Sequence, residues 1–219
     1  MRTLVSALAV AITIHNVSAA DTAGPERWAG EIAAFEAADR ESPPTPGGVV
    51  FVGSSSIRLW KTLAEDFPGA RPINRGFGGS HIADCVHYFD RLVGVHQPRL
   101  VVFYCGSNDL AAGKKPEDVA ADFRAFCARL HAAAPEARLI VTSIKLTPAR
   151  WHLREPIAFA NALLAAHCAG DPRRTFLDLN PFVLTPDGTP REDLYVADRL
   201  HLNAAGYAVW REHLRPLVR

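Results

Sequence analysis

The sequence predicts an α/β protein in which five parallel strands alternate with helices that pack on both faces of one sheet. Residues 49–52 and 100–104 are continuously apolar, as strands buried on both faces are. Segments between such runs carry apolar residues at helical spacing, and strict alternation of the two element types is typical of a parallel sheet. The length of 219 residues fits one such domain, which we place at residues 21–219.

Each element has its own local signal. Residues 43–48 are rich in proline and glycine and indicate a turn between the first amphipathic helix and the first strand. A Pro-Glu-Asp start at residue 116 marks the longest helix. The predicted strands cover residues 49–52, 71–74, 100–104, 139–141 and 175–177. The predicted helices cover residues 28–38, 57–63, 82–92, 116–134, 157–168 and 203–214.

Composition and charge exclude several classes of protein. Lys and Arg total 24 against 23 Asp and Glu, and the formal net charge is +1. Hydrophobic residues make up 48% and charged residues 21%, which are ordinary globular values. A disordered chain, a collagen and a strongly basic nucleic-acid binder are therefore excluded. We expect small-molecule chemistry and no nucleic-acid partner.

The first twenty residues have the pattern of a secretory signal peptide. Arg2 is their only charged residue, residues 4–14 form a short apolar run, and small residues precede Asp21. The run is shorter than the ~20 residues that span a bilayer. We expect cleavage near Ala19 or Ala20, no stable membrane insertion, and a secreted or periplasmic mature chain.

Four cysteines follow the predicted signal peptide, and none lies in a CxxC motif. An oxidising compartment would allow three complete pairings, and four packed free thiols are the alternative. The four are Cys85, Cys105, Cys127 and Cys168.

One helix carries several residue types that bind metals. His81, Asp84 and Cys85 have spacings of three and four that could converge on a cation, but His87 points elsewhere. We therefore predict no metal site.

Reactive side chains collect where the predicted strands end. In a doubly wound sheet, ligands bind at the carboxyl ends of the strands. Serines follow the first strand, glycines the second, and a Gly-Ser-Asn-Asp stretch the third, while an Asp-x-x-His precedes the last helix. The four blocks are residues 53–57, 76–80, 106–109 and 198–201.

Together these blocks contain the parts that acyl transfer requires. A serine at a strand-to-helix turn can act as nucleophile, with an imidazole as its base. Asp198 lies three residues before His201, a spacing that lets its carboxylate hold the ring. Gly79 can offer an unobstructed backbone N–H, and Asn108 a neutral amide N–H, to an oxyanion. Any one block is weak by itself, since serine turns and Asp-x-x-His stretches are often caps.

The four blocks resemble those of the SGNH, or GDSL-type, hydrolases, over residues 49–217. Ser55 matches the nucleophile, although Ser54 stands where the family usually has Asp. Gly79 matches the oxyanion glycine and Asn108 the oxyanion asparagine, while the last block matches through Asp198 and His201. The resemblance implies a three-layer α/β/α flavodoxin-like fold, a catalytic group of Ser55, Asp198 and His201, and no metal or organic cofactor.

The expected activity is therefore hydrolysis of a carboxylic ester through an acyl-enzyme on Ser55, with the Ser55 and Gly79 N–H groups and Asn108 binding the oxyanion. Short acyl or acetyl esters, including those of acylated carbohydrates, are the favoured substrates. Trp151 and Phe77 are candidate substrate contacts, although Trp151 could instead cover the adjacent helix. A lipase, a thioesterase, an acyltransferase and a catalytically dead carbohydrate-binding module remain alternatives. An ordinary α/β-hydrolase is disfavoured because no glycine stands two residues after Ser55.

Overall fold

A computed structural model describes residues 24–218. Its centre is a sheet of five parallel strands in the order β2-β1-β3-β4-β5. The chain adds β2 on one side of β1 and then crosses to β3 on the other side. This reversal opens a crevice at the carboxyl end of β1, where ligands bind in sheets of this kind. The strands are β1 (Val49–Gly53), β2 (Ile73–Gly76), β3 (Leu100–Tyr104), β4 (Arg138–Thr142) and β5 (Arg174–Leu177).

Ten α-helices lie in the part of the chain that the structure describes, and many are single turns. The longest is α7, which begins at Pro116 as its sequence predicts. The helices are α1 (Ala29–Glu41), α2 (Ser55–Arg58), α3 (Leu63–Asp66), α4 (Ile82–His87), α5 (Phe89–Leu92), α6 (Ser107–Ala111), α7 (Pro116–Ala133), α8 (Arg154–Ala169), α9 (Asn180–Val183) and α10 (Ala204–Leu214).

Two apolar clusters, one on each face of the sheet, form the core. Alternate residues of the central strands point to opposite faces, so that Val50 and Phe51 belong to different clusters. One face packs against α1, α4, α5, α7 and α8. The other packs against α2, α3, α9 and α10. The three-layer α/β/α architecture expected from the sequence is therefore confirmed.

Several predicted boundaries differ from the structure, and the helix predicted over residues 82–92 is divided into α4 and α5. The second strand is shifted toward the C-terminus, because Arg71 has a left-handed backbone with φ of 45° and Pro72 has no N–H to donate. The strand instead continues through Arg75, whose buried guanidinium pairs with Asp39. The helix predicted over residues 57–63 is also wrong, since α2 and α3 are separate turns.

The predictions outside the sheet have mixed outcomes. The signal peptide lies outside the described residues. Between residues 24 and 218, no helix is long and apolar enough to cross a membrane. All four cysteines are buried free thiols, so the structure corresponds to the unpaired alternative.

Candidate active site

The turn after β1 exposes a single serine at the carboxyl edge of the sheet. Gly53 ends the strand with φ of 140°, and a Cβ there would lie 1.9 Å from the carbonyl oxygen of Tyr104. The chain can therefore leave β1 only through a glycine. The next N–H, of Ser54, donates to the same carbonyl at 3.0 Å, and α2 begins at Ser55.

The three adjacent serines have different environments. Ser54 is 2% exposed and Ser56 is 1% exposed, whereas Ser55 is partly open to solvent. The hydroxyl of Ser56 accepts a hydrogen bond from the buried ammonium of Lys145. Of the three, only Ser55 presents its hydroxyl to the open edge, and it is the serine that the sequence motif favours.

A hydrogen-bonded chain joins Ser55 to His201 and Asp198. The Oγ of Ser55 lies 2.8 Å from Nε2 of His201, and Nδ1 of the same ring lies 2.6 Å from Oδ2 of Asp198. With the proton on Nδ1, the imidazole donates to the carboxylate and accepts from the serine hydroxyl. This is the arrangement that a serine nucleophile needs in order to lose its proton.

A tight loop shortly before α10 holds Asp198 and His201 close together. Arg199 takes a left-handed backbone, with φ of 59°, and its N–H donates to the carbonyl of Val196 at 2.8 Å. The N–H of Val196 in turn donates to the carbonyl of His201 at 2.9 Å. Two further backbone N–H groups, of Leu200 and His201, each donate to Oδ1 of Asp198 at 2.9 Å.

These contacts determine the charge of the Asp198 carboxylate. Burial acts to raise its pKa, but hydrogen bonds from the backbone and ring of His201 and from the N–H of Leu200 outweigh that effect. The pKa of Asp198 is lowered to about 2. The carboxylate is therefore ionised at neutral pH, and it favours a protonated His201 ring during reaction.

The two backbone N–H groups that the sequence assigns to an oxyanion hole, those of Ser55 and Gly79, have no hydrogen-bond partner in the described part of the chain. Gly79 has φ of +80°, a conformation that L side chains rarely adopt, and a Cβ there would lie 3.3 Å from the Trp28 ring. Free N–H groups of this kind can stabilise a developing oxyanion.

Asn108 lies in the turn after β3, at the start of α6. Gly106, with φ of 110°, leads the chain from the strand into α6, which begins one residue before Asn108. The side-chain Nδ2 donates to the carbonyl of Ser80 at 3.1 Å. Because an amide nitrogen carries two hydrogens, one N–H of Asn108 has no partner within residues 24–218.

Two carboxylates, Asp84 and Asp109, fix the start of α4, which directly follows the turn that contains Gly79. Asp109 is fully buried and accepts the N–H of Ile82 at 3.2 Å, and burial raises its pKa. Asp84 accepts from the N–H of His81 at 2.9 Å and from the indole of Trp28 at 3.2 Å. His81 and Asp84 thus cap α4, and no cluster suited to a metal ion occurs in the described chain.

The two candidate substrate contacts occupy different positions. Trp151 is partly exposed in a 3₁₀ turn, Pro148–Leu153, that follows β4, and the guanidinium of Arg154 lies 5.6 Å from its ring centroid. Phe77 is fully buried and packs edge-to-face on Trp28 with ring centroids 5.7 Å apart. A ring buried in this way packs within the core, so we leave Phe77 out of the proposed site.

Sequence reasoning did not single out two cations beside the site. Arg150 donates to Ser107 and Asn108, and Lys145 donates to Ser56. Both come from the loop after β4, where no motif marks them. The burial of Lys145 could have been suspected only from the apolar residues around it.

Comparison with known proteins places the chain in a family. Residues 45–209 match the GDSL-like lipase/acylhydrolase family. Platelet-activating factor acetylhydrolase IB subunit alpha1 from Pongo abelii is 32% identical over 199 residues, which cover 86% of this chain and 81% of that protein.

Solved structures share the fold. A GDSL-like lipase from Bacteroides thetaiotaomicron superimposes with a TM-score of 0.70 at 22% identity, over 89% of this chain and 97% of that one. A family 3 carbohydrate esterase from Clostridium thermocellum gives a TM-score of 0.62 at 15% identity, over 80% and 98%. Together with the family match, these findings show that the chain belongs to the GDSL-like lipase/acylhydrolase family and is an ester hydrolase with the SGNH fold.

Proposed function

We propose that the protein hydrolyses short-chain carboxylic esters, acetyl esters above all, through an acyl-enzyme on Ser55. The observation that carries this proposal is the continuous chain from Ser55 through His201 to Asp198, at 2.8 Å and 2.6 Å. A chain of nucleophile, base and orienting carboxylate is the minimum arrangement for serine-dependent acyl transfer.

In the proposed mechanism, His201 takes the proton of Ser55 as Oγ attacks the ester carbonyl carbon. Asp198 holds the ring and stabilises its protonated form. The N–H groups of Ser55 and Gly79 and the amide of Asn108 stabilise the tetrahedral oxyanion. His201 then gives its proton to the leaving alkoxide, and the acyl group remains on Ser55. A water molecule, deprotonated by His201, then attacks the acyl carbon; the bond between that carbon and Oγ breaks, His201 returns the proton to Oγ, and the carboxylic acid leaves.

The preference for small acyl groups is supported by the chain itself and by its relatives. The loops that follow β1, β2 and β3 are short, so little chain is available there to cover a long lipid. The Pongo abelii relative is named an acetylhydrolase, and the Clostridium thermocellum neighbour is named a carbohydrate esterase. An acetylated alcohol or carbohydrate is therefore the substrate class we propose.

We also propose that the enzyme is exported and acts as residues 21–219. The basis is the residue pattern of positions 1–20. Mass spectrometry of the N-terminus after expression with and without a functional export pathway tests this. An N-terminus that remains at Met1 in both samples contradicts export.

The central test is turnover of p-nitrophenyl acetate by residues 21–219 and by Ser54→Ala, Ser55→Ala and Ser56→Ala variants. All four proteins must show comparable far-UV circular dichroism. Only Ser55→Ala should abolish turnover, because only Ser55 contacts His201. Asn108→Ala should lower kcat by ~100-fold or more, the usual cost of an oxyanion donor.

Two results would overturn the proposal. Unchanged turnover in Ser55→Ala rejects the nucleophile, and a folded parent without any turnover of short esters favours a binding module. Added alcohols give a further readout, since a p-nitrophenyl acetate reaction that yields mainly the new ester identifies an acyltransferase.

A further inference from the structure

The amide of Asn108 must present its nitrogen, and not its oxygen, to an oxyanion. Two neighbours impose that orientation. The carbonyl of Ser80, which can only accept, lies 3.1 Å from Nδ2. The guanidinium of Arg150, which can only donate, places Nη2 at 3.0 Å from Oδ1. A rotated amide would bring two donors together at Arg150 and two acceptors together at Ser80.

Arg150 is itself held from two sides of the site. Its Nη1 donates to the hydroxyl of Ser107 at 2.7 Å, so the guanidinium bridges two consecutive residues of α6. Its backbone N–H lies 3.3 Å from Oγ1 of Thr147. The preceding N–H, of Ala149, donates to the carbonyl of Arg199 at 3.1 Å. This places the arginine between the asparagine turn and the loop that carries Asp198 and His201.

No carboxylate in the described part of the chain neutralises the charge of this guanidinium. Within residues 24–218, no Asp or Glu oxygen lies within ion-pair distance of Arg150. Burial lowers the pKa of this arginine, but an arginine side chain remains protonated in proteins. A cation on Oδ1 polarises the amide and makes its N–H a stronger donor, because hydrogen bonds in a chain reinforce one another.

We propose that Arg150 is a positioning residue for the oxyanion hole, which acts by orienting and polarising the amide of Asn108. The proposal rests on the proposed function of Asn108 as an oxyanion donor. Arg150 forms and breaks no covalent bond and transfers no proton. Its contribution grows as negative charge develops on the carbonyl oxygen, so it should appear in kcat more than in KM.

The test compares Arg150→Met, Arg150→Lys and Ser107→Ala with a matched control, Arg124→Met, which removes an exposed arginine on α7. We expect Arg150→Met to lower kcat on p-nitrophenyl acetate by ~10–100-fold, less than the loss of the donor itself, with KM changed less than about 3-fold. Arg150→Lys should retain part of the loss, because an ammonium cannot replace the planar fork. Ser107→Ala removes one anchor of the fork and should give a smaller loss, and Arg124→Met should give none.

A reversible tetrahedral inhibitor supplies a readout that a structural defect would not reproduce. An alkylboronic acid adds to the serine and forms a charged tetrahedral adduct. Across the Arg150 variants its Ki should rise by the same factor by which kcat/KM falls. In an Asn108→Ala background, Arg150→Met should cost less than about 3-fold further, since its route of action is already removed.

Three outcomes would overturn the inference while leaving the proposed function intact. The first is an unchanged kcat in folded Arg150→Met. The second is a fall in kcat on adding Arg150→Met to Asn108→Ala that is as large as in the parent. The third is an effect of Arg150→Met that is confined to a higher KM for negatively charged esters. The last would identify Arg150 as a contact for an anionic substrate group. If Arg150→Met does not fold, Arg150→Lys and Ser107→Ala decide by the same criteria. Unchanged turnover in Ser55→Ala or Asn108→Ala would instead reject the proposed function.

Discussion

The ammonium of Lys145 lies 3.0 Å from the hydroxyl of Ser56, immediately behind the proposed nucleophile. The same ammonium lies 3.2 Å from the hydroxyl of Tyr104, and the lysine is 2% exposed. Among residues 24–218 these two hydroxyls are the hydrogen-bond acceptors of the buried ammonium, so the loss of either leaves it poorly satisfied. Ser56 therefore supports the turn after β1 and takes no part in the proposed chemistry.

Ser56→Ala should destabilise the protein while leaving its chemistry largely intact. Removing one acceptor from a buried charged group costs about 1–3 kcal/mol, and the Tm should fall by about 5 °C. Turnover of p-nitrophenyl acetate should remain within about 5-fold of the parent. Tyr104→Phe removes the other hydroxyl and should give a comparable change in Tm. A loss of activity as complete as that of Ser55→Ala would contradict this separation of roles.

The lowered pKa of Asp198 predicts how stability depends on pH. The folded pKa is about 2, below the value near 3.9 of an unfolded chain. The contribution is therefore complete above pH 4 and is lost as the pH falls toward 2. Since the side chain is about half exposed, solvent screening limits the effect to about 1 kcal/mol.

Asp198→Asn removes this contribution. Urea denaturation should show the parent to be more stable than Asp198→Asn at pH 7, with the difference shrinking between pH 4 and pH 2.5. At pH 7 the variant should also lose ~10⁴-fold in kcat, because the imidazole loses its orienting acceptor. A stability difference that is the same at every pH would show that the carboxylate is not held ionised by the fold.

The cysteines should be unreactive in the native protein. All four are buried and unpaired, and burial raises the pKa of Cys127 to about 12 and of Cys168 to about 11. Dithionitrobenzoate reacts only when a thiolate attacks its disulfide bond, so a thiol with a raised pKa reacts slowly. The reagent should therefore titrate close to no groups in folded protein at pH 8, and four in guanidinium chloride. Fewer than four after unfolding would show disulfides in the purified chain.

Trp151 should influence which acyl chains or alcohols the enzyme accepts. Trp151→Ala is expected to change the ratio of kcat/KM for p-nitrophenyl acetate and p-nitrophenyl octanoate by about 10-fold, because a pocket contact of one or two methylenes has that effect. Phe159→Ala removes another partly exposed aromatic ring, on α8, and should leave the ratio unchanged. An unaltered ratio in Trp151→Ala would assign that ring to packing alone.

Strands β1 and β3 were predictable because burial on both faces leaves a continuous apolar signature. Strand β2 lacks that signature, because Arg75 is buried within it through its pairing with Asp39.

Ser55, Gly79 and Asn108 were also predicted, since their motifs follow predicted strands. Asp198 and His201 were predicted from their spacing before the last helix, and the resemblance of the four blocks to those of the SGNH hydrolases joined all five into one site. The structure brings Ser55, His201 and Asp198 into one hydrogen-bonded chain.

Local periodicity failed where tertiary contacts decided the backbone. The predicted helix over residues 57–63 is interrupted because Trp60 is pulled into the core. Its indole donates to Asp66 at 2.7 Å and its ring packs edge-to-face on Trp210. Arg150 and Lys145 were missed for a related reason, since their importance lies in what they contact and not in any spacing along the chain.

Ser55 and His201 are 146 positions apart in the sequence, and this separation has a consequence for folding. Closing so long a loop costs conformational entropy that only the assembled sheet can offset. Esterase activity should therefore recover during refolding only after the intrinsic fluorescence of the core has returned. A chain shortened before the last block could still collapse around its first strands. It would then carry the proposed nucleophile, Ser55, without its base, His201.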